Sequence, residues 1–192
     1  MAAQDDAERL EATSLDDWSG WLAEHHADSP GVWLVTAKRS TGRQPFDYEA
    51  AVCEALRFGW IDAVQKTLDE ERSMQWYAPR RPTSGWSRPN KVRIERLERE
   101  GRMETAGRAV IDAAKANGTW TLLDAVEDLV VPDDLAAAFA AHAGSREHWD
   151  AFPPSARKLM LTWIVTAKQP ATRERRVTET AVQAAQGIRA RT

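Results

Sequence analysis

WIDAVQKTLDEERSMQWY, residues 60–77, is the stretch that decides the fold. Both of its ends are rich in β-branched and aromatic residues, which favour strands. We therefore predict strands over residues 60–68 and 72–77. Because only residues 69–71 connect them, the two strands are expected to form an antiparallel hairpin.

The elements that precede the hairpin have local signals of their own. GVWLVTAK (31–38) has the composition of a strand. Ser14 is suited to cap a helix over residues 15–27, and Asp47 to cap a helix over residues 48–58. In the second helix, the residues at the spacing of a buried stripe are Tyr48, Val52, Ala55 and Leu56.

Helical patterns replace strand patterns after the hairpin. Residues 78–89 contain three Pro, one Gly and two Ser, which predicts a loop. Ser87 is predicted to cap a helix that runs to about residue 100. Strands followed by helices, without βαβ alternation, indicate an α+β fold. We expect a small antiparallel sheet in the N-terminal part, packed against a mostly helical C-terminal part.

The chain length of 192 residues is typical of one domain. Residues 1–14 are predicted to be a mobile acidic tail, and residues 15–192 a single domain. Its strand-containing part is expected to end at about residue 80 and its helical part to begin at about residue 88. The first residues lack the pattern of a signal peptide, and no apolar run is long enough to span a bilayer, so we expect a cytoplasmic protein that does not enter a membrane.

Charge is distributed unevenly along the chain, although the net charge is only −3. Residues 72–108 carry ten Arg or Lys against four Glu, and residues 157–176 carry six against one Glu. Residues 1–30 carry eight acidic residues against one Arg, and residues 124–150 carry seven against one. The basic stretches either neutralise the acidic ones or converge on a bound anion, and charge alone does not decide between these alternatives.

The loop at 80–91 has the composition of an anion site. Arg80 and Arg81 provide planar guanidinium groups, which suit phosphate or carboxylate. The loop leads into a predicted helix N-terminus, where backbone N–H groups favour anions. Trp86 offers a stacking face. The polar residues with them are Ser84, Ser87, Asn90 and Lys91.

A second basic group, at 168–176, also lies at a predicted helix start. Lys168, Arg173 and Arg176 oppose the helix dipole there, so a carboxylate or a bound anion has to offset them. Our leading hypothesis joins both groups in one pocket for a small anionic ligand, with Glu54 and Asp62 orienting the arginines. An internal network of arginines and carboxylates is the competing interpretation.

Two further functions remain open. Glu54 or Asp62 could act as acid and base beside an arginine clamp in an enzyme. Trp76 and Trp86, if exposed, could stack on nucleic acid, but the negative net charge argues against this partner. Catalytic residues are unknown because no catalytic motif is present. A single cysteine, Cys53, cannot build a cysteine metal site, and we expect no metal and no cofactor. The oligomeric state is not indicated.

Five ordered motifs resemble a known family. They are EALRFGWIDA (54–63), PRRPTSGWSRPNK (79–91), GRM (101–103), VPDDL (131–135) and AKQPATRERR (167–176). Together they resemble the YdeI/OmpD-associated (OmdA-like, bacteriocin-protection) proteins of bacteria, over about residues 33–188.

The resemblance implies a role in envelope stress or bacteriocin protection, and it implies no particular reaction. A periplasmic location is attached to that family, and we expect this chain to depart from it because its first residues do not read as an export signal. The family pattern falls on Glu54, Trp60, Asp62, Pro79, Arg80, Ser84, Trp86, Ser87, Asn90, Lys91, Lys168, Thr172, Arg173 and Arg176.

Overall fold

A computed structural model describes residues 7–190 of the chain. The fold consists of two compact units. Unit 1 comprises the residues up to Ser84 together with Pro89–Thr119, and unit 2 comprises Gly85–Arg88 together with the residues from Trp120 onwards. Strands occur with helices in unit 1, and unit 2 is helical, so the predicted α+β class is confirmed. A single domain over residues 15–192 stays a prediction.

Unit 1 contains a four-stranded sheet in the order β1-β2-β4-β3. Its strands are β1 (Arg9–Glu11), β2 (Val32–Ala37), β3 (Trp60–Thr67) and β4 (Arg72–Pro79). The predicted β3–β4 hairpin is confirmed as antiparallel, and β4 also pairs antiparallel with β2. The sheet is not purely antiparallel, because β1 pairs with β2 in parallel.

Strand β1 corrects the predicted tail over residues 1–14. Residues 1–6 lie outside the described residues, but Arg9–Glu11 pair with Trp33–Val35, and the backbone N–H of Trp33 donates to the Glu8 carbonyl at 2.9 Å. Ala12, directly after the strand, is buried. A three-residue strand carries almost no periodic signal of its own, so only the edge of β2 defines it.

An irregularity in the β3–β4 ladder sets which side chains share a face. Asp62 lies opposite Tyr77, and Gln65 lies opposite Gln75, so one extra residue of β3 is accommodated between these pairs. In a regular strand, residues three apart point to opposite faces. The bulge therefore brings Asp62 and Gln65 to the same face of the sheet, together with Tyr77 and Gln75.

The other face of the sheet is apolar. Its buried cluster consists of Trp33, Val35, Met74 and Trp76. The Trp33 and Trp76 rings meet edge to face, with centroids 5.3 Å apart. We call the opposite face, which carries Asp62, Gln65 and Gln75, the polar face. Part of it is also covered, because Tyr77 is 1% exposed and its ring centroid lies 5.0 Å from that of Trp18.

The first two helices begin where their caps predict. Helix α1 (Leu15–His25) has a complete capping box between Ser14 and Asp17. Helix α2 (Tyr48–Arg57) begins after Asp47, whose carboxylate accepts from the Ala50 N–H at 2.8 Å. Between them, Arg39–Thr41 form a 3₁₀ turn after β2.

One member of the predicted α2 stripe is not in the core. Val52, Ala55 and Leu56 are buried, whereas Tyr48 is 49% exposed. Tyr48 lies in the first turn of α2, and its hydroxyl donates to Asp62 on the polar face of the sheet at 2.8 Å. The spacing of buried residues in a helix does not indicate such a hydrogen bond, which keeps the Tyr48 hydroxyl outside the core.

Two helices complete unit 1. Helix α3 is Arg88–Arg99, of which all but the first residue belongs to unit 1, and α4 is Thr105–Ala116. Helix α4 approaches the end of α2 very closely at Gly107. A Cβ atom at this position would lie only 2.1 Å from the Arg57 carbonyl oxygen.

Unit 2 is built around one apolar cluster. Leu135, Trp149 and Leu161 are among its most buried members. No helix within residues 7–190 is long and apolar enough to cross a membrane. The helices of unit 2 are α5 (Asp124–Glu127), α6 (Asp133–Ala141), α7 (Ser145–Ala151), α8 (Pro154–Val165) and α9 (Pro170–Ala185).

We predict that Gly107→Ala destabilises the protein by about 1–3 kcal/mol, because the added methyl group meets backbone rather than a flexible side chain. The control is Gly20→Ala in α1, where no atom lies within 4 Å of a new Cβ. That change should stabilise by about 0.5–1 kcal/mol. Urea unfolding measures both, and equal effects of the two substitutions would contradict the close approach.

Candidate functional site

The predicted anion pocket draws its residues from both units. Arg80, Arg81, Ser84, Asn90 and Lys91 belong to unit 1. Trp86, Ser87, Lys168, Arg173 and Arg176 belong to unit 2. The joint pocket stays a prediction, whereas the surroundings of each residue within its own unit are defined.

Arg80 is a buried cation that follows directly after β4. Only 8% of the residue is exposed, and its backbone N–H donates to the Gly59 carbonyl at 3.0 Å. Burial lowers the pKa of Arg80 to about 10, against the opposing effect of the Asp62 carboxylate. Arg80 therefore remains charged at neutral pH. Arg81 is exposed, and its carbonyl accepts from the Ser84 N–H at 2.9 Å in a turn.

Asn90 and Lys91 lie in the first turn of α3. The Asn90 side-chain oxygen accepts from Arg93 at 2.7 Å, and Lys91 is half-buried. Arg93 also donates to Glu49 at 2.6 Å, and this hydrogen bond lowers the pKa of the Glu49 carboxyl. Asn90 thus takes part in a polar cluster that links α3 to α2.

Glu54 is 2% exposed and is neutralised inside unit 1. One carboxylate oxygen accepts from Arg57 and the other from Arg102. Arg57 also donates to Glu104 at 2.8 Å. Glu54 therefore pairs with arginines other than those of the predicted pocket. Because both of its oxygens are ion-paired, the geometry argues against Glu54 as a general base.

The second proposed carboxylate and the cysteine have different surroundings. Asp62 accepts from the Tyr48 hydroxyl and interacts electrostatically with Arg80. Partial burial of the Tyr48 hydroxyl, reinforced by its hydrogen bond to Asp62, raises the pKa of Tyr48 to about 12. Cys53 is 3% exposed, and burial raises the pKa of its thiol, an effect that Arg96 opposes. Cys53 is thus a protonated buried thiol rather than an activated nucleophile.

The aromatic residues required by the nucleic-acid hypothesis are buried. Trp86 is 1% exposed and packs against Trp120 within unit 2, with centroids 5.0 Å apart. Trp76 is 7% exposed within the apolar cluster of unit 1. Neither ring offers an open face to a base. The prediction that these two residues stack on nucleic acid is therefore wrong. Ser87, beside Trp86, is half-buried.

The basic residues at 168–176 have separate surroundings in unit 2. Arg173 makes a bidentate pair with Asp134, at 2.7 and 3.0 Å. This internal salt bridge corresponds to the competing interpretation, but with Asp134 as partner rather than Glu54 or Asp62. Arg176 donates to the Trp163 carbonyl and lies over the Trp163 ring at 5.1 Å. Lys168 is exposed.

A basic cavity that the sequence analysis missed lies at one end of the sheet in unit 1. It is lined by three basic residues, four neutral polar residues and no acidic residue. The lining residues are Lys38, Arg39, Gln44, Gln65, Lys66, Thr67 and Ser73. We call this the basic cavity.

The fold positions the cations of the basic cavity through backbone contacts. The Lys38 N–H donates to the Glu71 carbonyl at 2.7 Å, and its ammonium group donates to the Asp69 carbonyl, also at 2.7 Å. These contacts fix Lys38 without neutralising its charge. Arg39 begins the 3₁₀ turn, and among residues 7–190 neither Lys38 nor Arg39 forms an ion pair. Lys66 lies over the Trp33 ring at 5.0 Å, a contact that retains its charge.

Two of the three acidic residues of the adjacent hairpin turn have cations of their own. Asp69 pairs with Arg72 at 2.7 Å, and Glu71 pairs with Arg43 at 2.7 Å. Arg72 holds the pKa of Asp69 below its ordinary value. Two of the three negative charges of this turn are therefore already paired, and the third, Glu70, is exposed to solvent.

Three separated segments contribute to the basic cavity, which explains why sequence motifs did not reveal it. Residues 38–44, 65–67 and Ser73 meet only through the pairing of β2, β3 and β4. The available signal was the predicted β3–β4 hairpin, which places Thr67 opposite Ser73.

Within residues 7–190, no group of three or more His, Cys, Asp or Glu side chains is arranged to hold a metal ion.

Two families match the chain in separate regions. The family described as "Domain of unknown function (DUF8412)" matches residues 10–110, and the family described as "Bacteriocin-protection, YdeI or OmpD-Associated" (OmdA) matches residues 128–187. The resemblance to OmdA proteins is thus confirmed for the C-terminal region, and the first motifs fall within the other match. Comparisons with curated proteins and with solved structures give no match.

We predict that Glu54→Gln destabilises the protein by roughly 2–3 kcal/mol, because it leaves Arg57 and Arg102 without their shared carboxylate. The control is Glu100→Gln, since Glu100 also pairs with Arg102, at 3.2 Å, but is 42% exposed. Its loss should cost less than about 1 kcal/mol. Denaturant unfolding distinguishes the two, and equal losses would contradict a buried role for Glu54.

We also predict a coupling energy of about 0.5–1 kcal/mol between Asp134 and Arg173 in a double-mutant cycle to alanine. Arg173 lowers the pKa of Asp134 in the folded protein. The coupling should therefore be complete above the unfolded pKa of about 3.9 and should disappear as the pH falls through the lower folded value. Unfolding measured at pH 7 and at successively lower pH values tests this, and a coupling that does not weaken as the pH falls would refute it.

Proposed function

This chain belongs to the family described as domain of unknown function DUF8412 and carries an OmdA domain, and we propose that it is a binding protein for a small anionic ligand. The observation that supports the proposal is the basic cavity of unit 1, whose lining combines three cations with neutral polar groups and contains no carboxylate. The ligand class is the one predicted from the sequence, and we place it at a different site.

Lys38 and Arg39, two of the three cations of the basic cavity, can bind an anion in complementary ways. The Lys38 ammonium group has three N–H bonds, and the Asp69 carbonyl accepts only one of them. Arg39 is exposed and carries a planar guanidinium, which can hold two oxygens of a phosphate or carboxylate. An anion bound here would gain attraction without displacing an internal carboxylate from either residue.

Neutral donors in the cavity favour an oxyanion over a simple halide. Thr67 and Ser73 lie opposite each other on β3 and β4, so both hydroxyls face the same space. The carboxamides of Gln44 and Gln65 complete the lining. Hydroxyl and carboxamide N–H groups can direct protons toward separate oxygens of one anion.

The name of the family matched by residues 128–187 includes bacteriocin protection. We extend that role to this chain, as a protein of bacterial stress protection in which unit 1 senses or sequesters the anion. The cytoplasmic location and the joint pocket of the 80–91 and 168–176 segments stay predictions.

We predict that Arg39→Ala weakens the binding of inorganic phosphate about tenfold, because a charge-assisted contact worth about 1.5 kcal/mol is lost. Titration of the ¹⁵N-labelled full chain at low ionic strength, followed by NMR, measures the affinity and identifies the perturbed amides. These should include residues 38, 39, 67 and 73.

The control is Arg99→Ala, which removes the same charge from an exposed position of α3 and should leave binding unchanged. Arg81→Ala tests the loop predicted from the sequence. If Arg81→Ala abolishes binding and Arg39→Ala does not, our site is wrong, and the absence of any phosphate-dependent shift would reject anion binding. Replacement of the chromosomal gene by the Arg39→Ala variant tests protection: unchanged survival under bacteriocin would separate binding from that role.

A further inference from the structure

A second cavity of unit 1 lies at the open edge of β2, and it shares no lining residue with the basic cavity. It is lined by the end of β1, by the last residues of β2 and by residues of the segments 43–45 and 71–72. Its volume of ≈ 320 Å³ falls within the range of about 300–1,000 Å³ that is usual for small-molecule sites. We call it the edge cavity.

Strand β2 extends beyond its parallel partner at this cavity. Strand β1 ends with Glu11 opposite Val35, whereas β2 continues to Ala37. The Lys38 N–H donates to the Glu71 carbonyl, and because successive residues of a strand direct their backbone groups to alternate sides, the N–H and C=O of Ala37 point away from β4. Among residues 7–190, no strand pairs with Ala37 on that outer side and no other hydrogen bond takes up its N–H or C=O. One backbone donor and one acceptor therefore remain open at the edge cavity.

The chain itself does not fill this position, because it turns into α1 directly after β1. The backbone N–H and the hydroxyl of Thr13 donate to Asp17 at 2.9 and 2.7 Å, so residue 13 is already committed to the start of the helix. Ala12, between the strand and this cap, is buried. The place beside Ala37 that a longer β1 would occupy is thus left to the edge cavity.

Charges of both signs line the edge cavity. Arg72 pairs with Glu11 at 2.6 Å, and Arg43 pairs with Glu71 at 2.7 Å. The side chains of Arg43 and Glu71 are 63% and 66% exposed, so their pair contributes little to stability and can exchange with a charged ligand. The pair engages one guanidinium nitrogen of Arg43, which leaves further N–H groups for a carboxylate. A ligand with a single sign of charge would match only half of this lining.

Apolar side chains form the rest of the lining. They are the small side chains of Ala12, Val35, Ala37 and Pro45, on which an aliphatic group can pack. The edge cavity thus combines an open strand edge, charges of both signs and apolar surface. An extended peptide with free ends presents the matching set, because it carries backbone N–H and C=O groups, an ammonium group, a carboxylate and side chains.

We propose that the edge cavity binds a peptide of two or three residues with free termini, which continues β1 along the open edge of β2. A parallel continuation places the ammonium group at Glu11, opposite Val35, and the carboxylate at Arg43, whose partner Glu71 accepts from Lys38. Residues 35 and 38 are roughly 10 Å apart along an extended strand, a distance that two or three extended residues span. This activity is separate from anion binding, because the two cavities have no residue in common.

The test compares trialanine with its C-terminal amide by NMR titration of the ¹⁵N-labelled full chain. Trialanine should shift the amides of residues 11–13 and 37, and the amide form should bind about tenfold more weakly because its terminus carries no charge for Arg43. Arg43→Ala should weaken trialanine binding about tenfold and leave the binding of the amide form unchanged. Strand addition has its own readout, since saturation with trialanine should slow hydrogen exchange of the Ala37 N–H at least about tenfold.

The matched control is Arg99→Ala, which removes the same charge from an exposed position outside the edge cavity and should leave both affinities unchanged. Absence of any shift with trialanine would overturn the proposal, as would equal affinities for the two peptides. Unchanged exchange of the Ala37 N–H in the bound state would overturn pairing with β2. Arg39→Ala should not affect trialanine, so failure of peptide binding and failure of phosphate binding are separate results.

Discussion

A carboxylate that is almost completely removed from water must have its charge neutralised where it lies, and Glu54 imposes this constraint on unit 1. Arg57 and Arg102 each take one of its oxygens. Arg57 in addition donates to the Arg102 carbonyl at 2.8 Å and to Glu104, so the end of α2 is fixed against the segment that precedes α4. The close approach of Gly107 to the Arg57 carbonyl belongs to the same junction. The position of α2 against α4 therefore depends on a buried charge as well as on close packing.

Ion pairs also connect the sequence motifs that first indicated a family. Glu54 of EALRFGWIDA pairs with Arg102 of GRM in unit 1, and Asp134 of VPDDL pairs with Arg173 of AKQPATRERR in unit 2. Some of the charged residues that suggest a ligand site in the sequence thus pair with each other in structural salt bridges. Charge density in a sequence therefore does not by itself distinguish a ligand site from a structural salt bridge. The cations of the basic cavity, Lys38, Arg39 and Lys66, lie outside the most basic stretches.

The parts of the fold that the sequence predicted correctly are those with local causes. Ser14 and Asp47 define helix starts through hydrogen bonds three residues away, and the short connection of the β3–β4 hairpin determines its pairing. Strand β1 could not be predicted, because its definition comes from a distant edge of β2. Tyr48 follows a core spacing, yet its hydroxyl is bonded to Asp62 of another element. The basic cavity likewise requires three segments in register, which no window of sequence contains.

The bulge in β3 shows how a small irregularity can determine chemistry. Without the extra residue between Asp62 and Gln65, one of these side chains would face the apolar cluster around Trp33 and Trp76. A buried carboxamide or carboxylate there would lack partners, at a cost of about 1–3 kcal/mol or more. With the bulge, the Asp62 carboxylate accepts from the Tyr48 hydroxyl, and Gln65 borders the basic cavity. The same local change that avoids this cost also assembles the polar face, so stability of the sheet and specificity of the proposed site have a common structural origin.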